Sequence, residues 1–257
     1  MTDLEGTRTL VTGAGVRIGR ALALAFARAG SQVVVHYHAS EQPARQLVAE
    51  LLEMGPGHDS IRADLTLASE RDSLIPRLLD RGRSLDILVN NASVYRRSPL
   101  RQLTPEQWEN DYAINFVAPF QLMRQFALYC RSGNIVNLLD QRVQVVDPPA
   151  GAYALAKKSL RDVTLAAALE WAPDIRVNAV APGIVLAPPG TSDTALTRLA
   201  AGVPMRRISA VEEIAEACLF LARAETVTGQ ILFVDGGMHL NGTGSRESGS
   251  AAAAAGL

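Results

Sequence analysis

Residues 7–37 read TRTLVTGAGVRIGRALALAFARAGSQVVVHY, and this stretch decides the fold. A short β-rich run, Arg8–Val11, stops at Gly13, and Ile18, Leu22, Ala25, Phe26 and Ala29 then recur at helical spacing until Gly30. Gln32–Tyr37 follows as an apolar run of the kind buried on both faces of a parallel sheet. Glycines in such a strand-to-helix turn let the backbone approach a pyrophosphate, and the helix N-terminus adds free N–H groups and a favourable dipole. A dinucleotide cleft at residues 12–19 is the expectation.

Outward from there the alternation continues. Strand-like runs fall at 60–63, 86–90, 134–139, 175–180 and Ile231–Val234, with helical patterns at 42–54, 104–129, 152–171 and 209–222. Thr104-Pro105-Glu106-Gln107 and Ser209-Ala210-Val211-Glu212 read as capping boxes that open two of those helices. Seven strands interleaved with helices predict an α/β, Rossmann-type, doubly wound parallel sheet in a single domain over residues 1–240. Residues 182–204, rich in Pro, Gly and Thr, read as a lid over a site. Residues 241–257 are low in complexity and read as a disordered tail.

Composition narrows the class. The 257 residues are 48% hydrophobic with 20 glycines and 5% aromatics, which suits helices packed on a parallel sheet. A net charge of -1 gives no reason to expect nucleic acid or a membrane as partner. Cys130 and Cys218 lie in apolar stretches without metal-ligand spacing, so no metal is expected and two thiols in a reducing cytoplasm are. A polar Met1–Glu5 stretch without a signal-peptide pattern also suggests a cytoplasmic protein.

The second strand bears on cofactor choice. NAD sites place an acid near its end to bond the ribose hydroxyls, but here His36-Tyr37-His38-Ala39-Ser40 carries none before Glu41. A 2′-phosphate would accept bonds from Arg17, His38 and Ser40, so NADPH is favoured.

Residues 12–19 resemble the Thr-Gly-x-x-x-Gly-x-Gly turn of the short-chain dehydrogenase/reductase family, with Arg17 in place of the middle glycine. Asp64-Leu65 resembles that family's adenine-contacting pair. Asn90-Asn91-Ala92-Ser93 resembles its Asn-Asn-Ala-Gly turn, and Pro182-Gly183-Ile184-Val185 its nicotinamide loop. The resemblance covers about residues 7–237. It implies cofactor contacts from Gly13, Arg17, Ile18 and Gly19, from His36, Tyr37, His38 and Ser40, and from Asp64 and Leu65. Further contacts are implied from Asn91, Ala92 and Ser93, from Pro182, Gly183 and Val185, and from Tyr153 and Lys157. It also implies a homotetramer built through the helices near 104–130 and 152–171.

Tyr153 and Lys157 are four residues apart, on one helical face. A phenol is a poor acid at neutral pH, and a nearby ammonium is expected to lower its pKa and make proton transfer practicable. The resemblance makes Tyr153 the proton donor, Lys157 its helper, and Asn115 the link from the lysine to a water chain. Asp140, 13 residues before Tyr153, departs from the pattern. Most of the family has a serine there, whose hydroxyl bonds a substrate carbonyl. An ionised aspartate cannot donate that bond and would oppose a developing alkoxide. Three readings stay open: a protonated acid acting on a nitrogen, an ionised acceptor for substrate N–H donors, or a defunct site.

Arg17 in the glycine turn together with Asp140 resembles the pteridine reductase branch, whose enzymes reduce biopterin- or folate-type rings with NADPH. That resemblance makes Tyr95 the aromatic cover of a pterin face, with Arg17, Ser93, Asp140 and Tyr153 as its polar contacts. A carbonyl reductase acting on a ketone or alcohol, and a non-catalytic NADPH-binding protein, are the alternatives.

Overall fold

The computed structural model describes residues 3–80, 84–185 and 192–241. Its strands are β1 (Arg8–Val11), β2 (Gln32–Tyr37), β3 (Asp59–Arg62), β4 (Ile87–Asn90), β5 (Gly133–Leu138), β6 (Ile175–Pro182) and β7 (Ile231–Val234). They form one sheet in the order β3-β2-β1-β4-β5-β6-β7, with every neighbouring pair parallel. The helices are α1 (Arg17–Arg28), α2 (Glu41–Met54), α3 (Ala68–Leu79), α4 (Pro105–Tyr112), α5 (Ala118–Tyr129), α6 (Gly151–Glu170), α7 (Asp193–Ala201) and α8 (Val211–Arg223).

Side chains of successive strand residues point to opposite faces, so both faces of an apolar strand need cover. Leu22 and Phe26 of α1, Leu47 of α2 and Cys218 of α8 cover one face. Leu74 of α3, Leu122 and Phe126 of α5 and Leu160 of α6 cover the other. Each such buried side chain contributes roughly 1.5–3 kcal/mol, so these two layers hold the helices in place more than helix propensity does. The chain reverses its direction of winding between β1 and β4, and the loops after those strands part to leave a crevice at their C-terminal ends.

Two local expectations are corrected. The helix expected over 104–129 does begin at the Thr104 box: Gln107 N–H donates to Thr104 Oγ1 (3.3 Å) and Thr104 N–H to Gln107 Oε1 (3.2 Å). It then passes through a π-helical turn, Ala113–Val117, before α5. Pro119 has no N–H for the carbonyl of Asn115, four residues back, and the widened turn instead pairs Ala118 N–H with Ala113 O. Ser209 does not cap α8, because its hydroxyl donates to Val234 O at the end of β7 (3.0 Å). The acid that receives a bond from the cap residue is Glu213, whose Oε2 accepts from Ala210 N–H (2.8 Å).

The lid-like segment contains α7 and returns to the sheet, where Val203 is buried and Met205 N–H donates to Gly236 O (3.1 Å). Its residues 186–191, and the tail beyond 241, lie outside the described residues. Among the described residues, no helix is long and apolar enough to cross a membrane.

Candidate active site

The glycine turn is shaped by backbone crowding. Gly13 has φ +63°, and a Cβ on it would meet Ala92 Cα at 3.0 Å. A Cβ on Gly19 would fall 2.3 Å from Gly13 O and 2.6 Å from Asn91 Nδ2, so only glycine fits there. Arg17, where the expected turn carries its middle glycine, has φ +55°. A left-handed backbone costs a non-glycine residue roughly 1–2 kcal/mol, which is why glycine is usual at that point.

Side chains from neighbouring strands fix the turn. Thr12 Oγ1 accepts from the N–H groups of Asn91 and Ala92, both at 2.9 Å, and Asn91 Nδ2 donates to Thr12 O at 2.8 Å. His36 Nδ1 accepts from Gly13 N–H (3.0 Å), so its proton sits on Nε2, which faces Ala63 O at 3.0 Å. Burial lowers the His36 pKa to about 4, and the ring stays neutral. His36 therefore ties β2 to the turn; both ring nitrogens are spent, and its polar atoms are not available to a cofactor.

A cleft of about 520 Å³ opens over the turn. Gly13, Arg17, Ile18, Gly19, His36, Tyr37, His38, Ser40, Asp64, Leu65, Asn91, Ala92 and Ser93 all line it, as the sequence led one to expect. Val16, Thr66, Val94, Asn110 and Ile114 join them without having been foreseen. The second strand brings no acid, but the fold does: Asp64, after β3, lies 3.5 Å from His38 Nε2. Burial works to raise the Asp64 pKa, and bonds from Thr66 with the charges of His38 and Arg62 outweigh it, leaving the carboxyl below its ordinary value.

A second cavity of about 260 Å³ adjoins the first, and Arg17, Ile18, Asn91 and Ser93 line both. Tyr95, Asp140, Tyr153, Lys157, Pro182, Gly183 and Val185 also line it, with Arg142 and the apolar Leu138, Leu139 and Ile184. Its geometry rests on a close crossing. Gly151, at the start of α6, has φ +49°, and a Cβ there would lie 2.0 Å from Ser98 O. That contact pulls the loop after β4 onto α6, where the Tyr95 and Tyr153 rings meet edge to face at 4.9 Å between centroids.

Tyr153 hydroxyl donates to Asp140 Oδ2 at 3.0 Å. Arg142 N–H donates to Asp140 Oδ1 (2.8 Å), and Arg142 Nη1 reaches Oδ1 and Oδ2 at 3.2 and 3.1 Å. Every one of these partners can donate, so Asp140 stands as a carboxylate acceptor rather than as a protonated acid. The Tyr153 pKa is correspondingly raised, first by burial and then by the Asp140 charge, with Arg142 and Ser93 pulling the other way. This reverses the expectation that Lys157 lowers it. The ammonium spends a proton on Leu138 O (2.7 Å) and lies 5.9 Å from the Tyr153 ring centre, too far to offset a carboxylate in direct contact. Burial brings the Lys157 pKa down to about 8, against the pull of Asp140.

Asn115 lies under the site rather than in it. Its Oδ1 accepts from Ser93 Oγ (2.7 Å), and its Nδ2 donates to Val94 O and Asp111 O (2.9 and 3.0 Å). It holds the Ser93–Tyr95 loop, and its side-chain bonds run to that loop and to α4 rather than to Lys157. Arg142 was missed by the sequence reading. Its only signal was a basic residue two places after the aspartate, before the Asp147-Pro148-Pro149 turn.

Residues 13–239 match the family described as Enoyl-(Acyl carrier protein) reductase. The chain is 35% identical over 245 residues to a 3-oxoacyl-[acyl-carrier-protein] reductase of Synechocystis, a match covering 93% of this chain and 99% of that one. It is 33% identical over 249 residues to 3beta-hydroxysteroid dehydrogenase 1 of Eggerthella lenta, covering 93% and 95%. Among solved structures, FolM alternative dihydrofolate reductase 1 from Brucella canis, complexed with NADP, superposes with a TM-score of 0.85 at 29% identity, over 93% of this chain and 96% of that one. Gluconate 5-dehydrogenase from Burkholderia cenocepacia, in complex with NADP and tartrate, gives 0.84 at 29%, over 91% and 96%.

Proposed function

We propose that this chain, which belongs to the short-chain dehydrogenase/reductase family, reduces a pterin-type ring of the dihydrobiopterin, dihydromonapterin or dihydrofolate class with NADPH. Oxidoreductase chemistry comes with the family; the substrate rests on one observation. A carboxylate, Asp140, holds the Tyr153 hydroxyl at 3.0 Å, in the place where a ketone reductase presents a hydroxyl.

The cleft fits the cofactor. Its glycines leave no room for a Cβ, the N-terminus of α1 opens onto it, and Arg17, His38 and Ser40 line it as groups able to bond a 2′-phosphate. Both NADP-bound relatives support the same cofactor. When bound, NADPH supplies the hydride. The protein's own residues do the rest. Asp140 accepts N–H bonds from the ring and orients it. Tyr95 offers an aromatic face beside Tyr153. Tyr153, kept protonated by burial and by Asp140, turns its hydroxyl hydrogen from Asp140 to the ring nitrogen. Arg142 and the Ser93 hydroxyl temper the negative charge left on the phenol.

The second reading is a carbonyl reductase, which the 3-oxoacyl-[acyl-carrier-protein] reductase relative favours. Against it, a carboxylate beside a forming alkoxide opposes the transition state. NADPH absorbance separates the two when dihydrobiopterin, dihydromonapterin and dihydrofolate are compared with a 3-oxoacyl thioester and simple ketones. Asp140→Ser is expected to lose pterin turnover by roughly tenfold or more while NADPH binding is kept. Indifference of the wild type to all three pterins, or full pterin activity in Asp140→Ser, rejects the proposal. Exposed Leu128 and Tyr129 on α5 and Leu165 and Leu169 on α6 support a homotetramer, which light scattering would test.

A further inference from the structure

Arg142 is the cation that touches Asp140, and the family's proton-donor pair gives it no role. It is held on three sides. Its main chain and Nη1 bond both Asp140 oxygens, its Nε donates to Asp147 Oδ2 at 2.5 Å, and its guanidinium carbon lies 5.1 Å from the centre of the Tyr95 ring. The side chain is 25% exposed, so it faces the substrate cavity while anchored behind it. A guanidinium has five donors and no acceptor, and its charge stays on at any working pH.

We propose that Arg142 is a positioning and specificity-determining residue: it keeps Asp140 an acceptor-only carboxylate, so that the pocket selects rings carrying N–H donors over ketones. The direction of that selectivity rests on the pterin reading above, whereas the clamp itself does not. Among the described residues, the charged and titratable groups facing Asp140 are few. Arg142 and Asp147 come from the turn after β5, Tyr153 and Lys157 from α6, Tyr95 from the loop after β4, and Arg17 from α1 across the cavity. Asp147 is itself engaged by Arg142, and the Lys157 ammonium is directed at Leu138 O. Without the guanidinium, a carboxyl with 13% of its side chain exposed would face Tyr153 with its charge uncompensated by contact, which favours the neutral acid. The neutral acid is an O–H donor, which a ketone oxygen can use as it uses a hydroxyl.

The test is the pH dependence of kcat/KM in the wild type and in Arg142→Gln, Arg142→Lys and Asp147→Asn, with NADPH affinity as the check that each variant is folded. In Arg142→Gln the acid limb of pterin reduction should move up by about one pH unit or more. Between the wild-type limb and the shifted one, the pterin-to-ketone ratio of kcat/KM should fall about tenfold or more. Lysine restores the charge without the paired donors and should recover part of both effects; Asp147→Asn, which frees Arg142 without touching Asp140, should give a smaller shift of the same sign. A uniform loss of activity with the limb and the ratio unmoved would show Arg142 to be structural only and overturn the proposal. If the wild type reduces ketones and no pterin, the substrate reading fails separately. The inflection in the ketone assay then decides for or against the clamp, since it should still move to higher pH in Arg142→Gln.

Discussion

Around Gly13 and Gly19 the candidate cofactor cleft is shaped mainly by backbone; around Asp140 the adjoining cavity is lined by charged and aromatic side chains from separate segments. The first region is crowded to the point that a methyl group does not fit, and its one buried titratable ring, His36, is neutral and fully bonded. The second is an ion-paired cluster of Asp140, Arg142 and Asp147 packed against two tyrosines. Steric fit gives a rigid, unselective cradle for a common cofactor. Charge placement gives chemistry that one proton can change. The difference suggests that specificity in this fold lies where side chains, rather than backbone, line the cavity.

Each half can be broken without the other. Tyr153→Phe removes the proton donor and should lower kcat by about 10²–10⁴-fold with NADPH affinity intact; an equal loss in affinity would mean that the two halves are not separable. Acid should attack the cofactor half through His36. Its folded pKa of about 4 lies below the ordinary 6.5, so the unfolded chain binds the extra proton first. The stability due to the neutral ring is complete above pH 6.5 and is lost as pH falls toward 4, by about 3 kcal/mol. Urea midpoints across that window should show this fall, and His36→Asn, whose Oδ1 can replace Nδ1 as acceptor from Gly13 N–H and which does not titrate, should flatten it. Gly19→Ala should cost about 1–3 kcal/mol by overpacking and weaken NADPH binding measured by fluorescence, leaving the Asp140–Tyr153 pair in place. The smallest effect expected is on the alkaline side: Lys157, with a pKa of about 8, loses its charge as pH rises through that value, and kcat should settle about threefold lower above it. A flat profile to pH 10 would remove Lys157 from the charge balance of the phenol.

Much of this was legible in residues 7–37. The strand, the glycine turn and the helix that follows give the βαβ unit, and apolar runs elsewhere give the remaining strands to within a residue or two. The capping motif at Thr104 was legible because both partners are local. The one at Ser209 was not, because its hydroxyl is claimed by Val234, 25 residues on. The π-helical turn was signalled only by Pro119, a local residue whose effect depends on the carbonyl four positions back. Asp64 comes beside His38 from the loop after β3, a neighbour that the residues around His38 do not announce.

The sequence alone determined the glycine turn, the spacing of Tyr153 and Lys157 and most of the strands, since glycine permissiveness, helical spacing and apolar periodicity are properties of near neighbours; it did not single out Arg142. Only the tertiary structure decided the charge states. Asp140 is a carboxylate because Arg142 and Tyr153 donate to it, and the Tyr153 proton is held more tightly, not less, because burial and that carboxylate outweigh a lysine turned toward Leu138. Electrostatic energies depend on distance and on desolvation, and both are set by which segments the fold brings together.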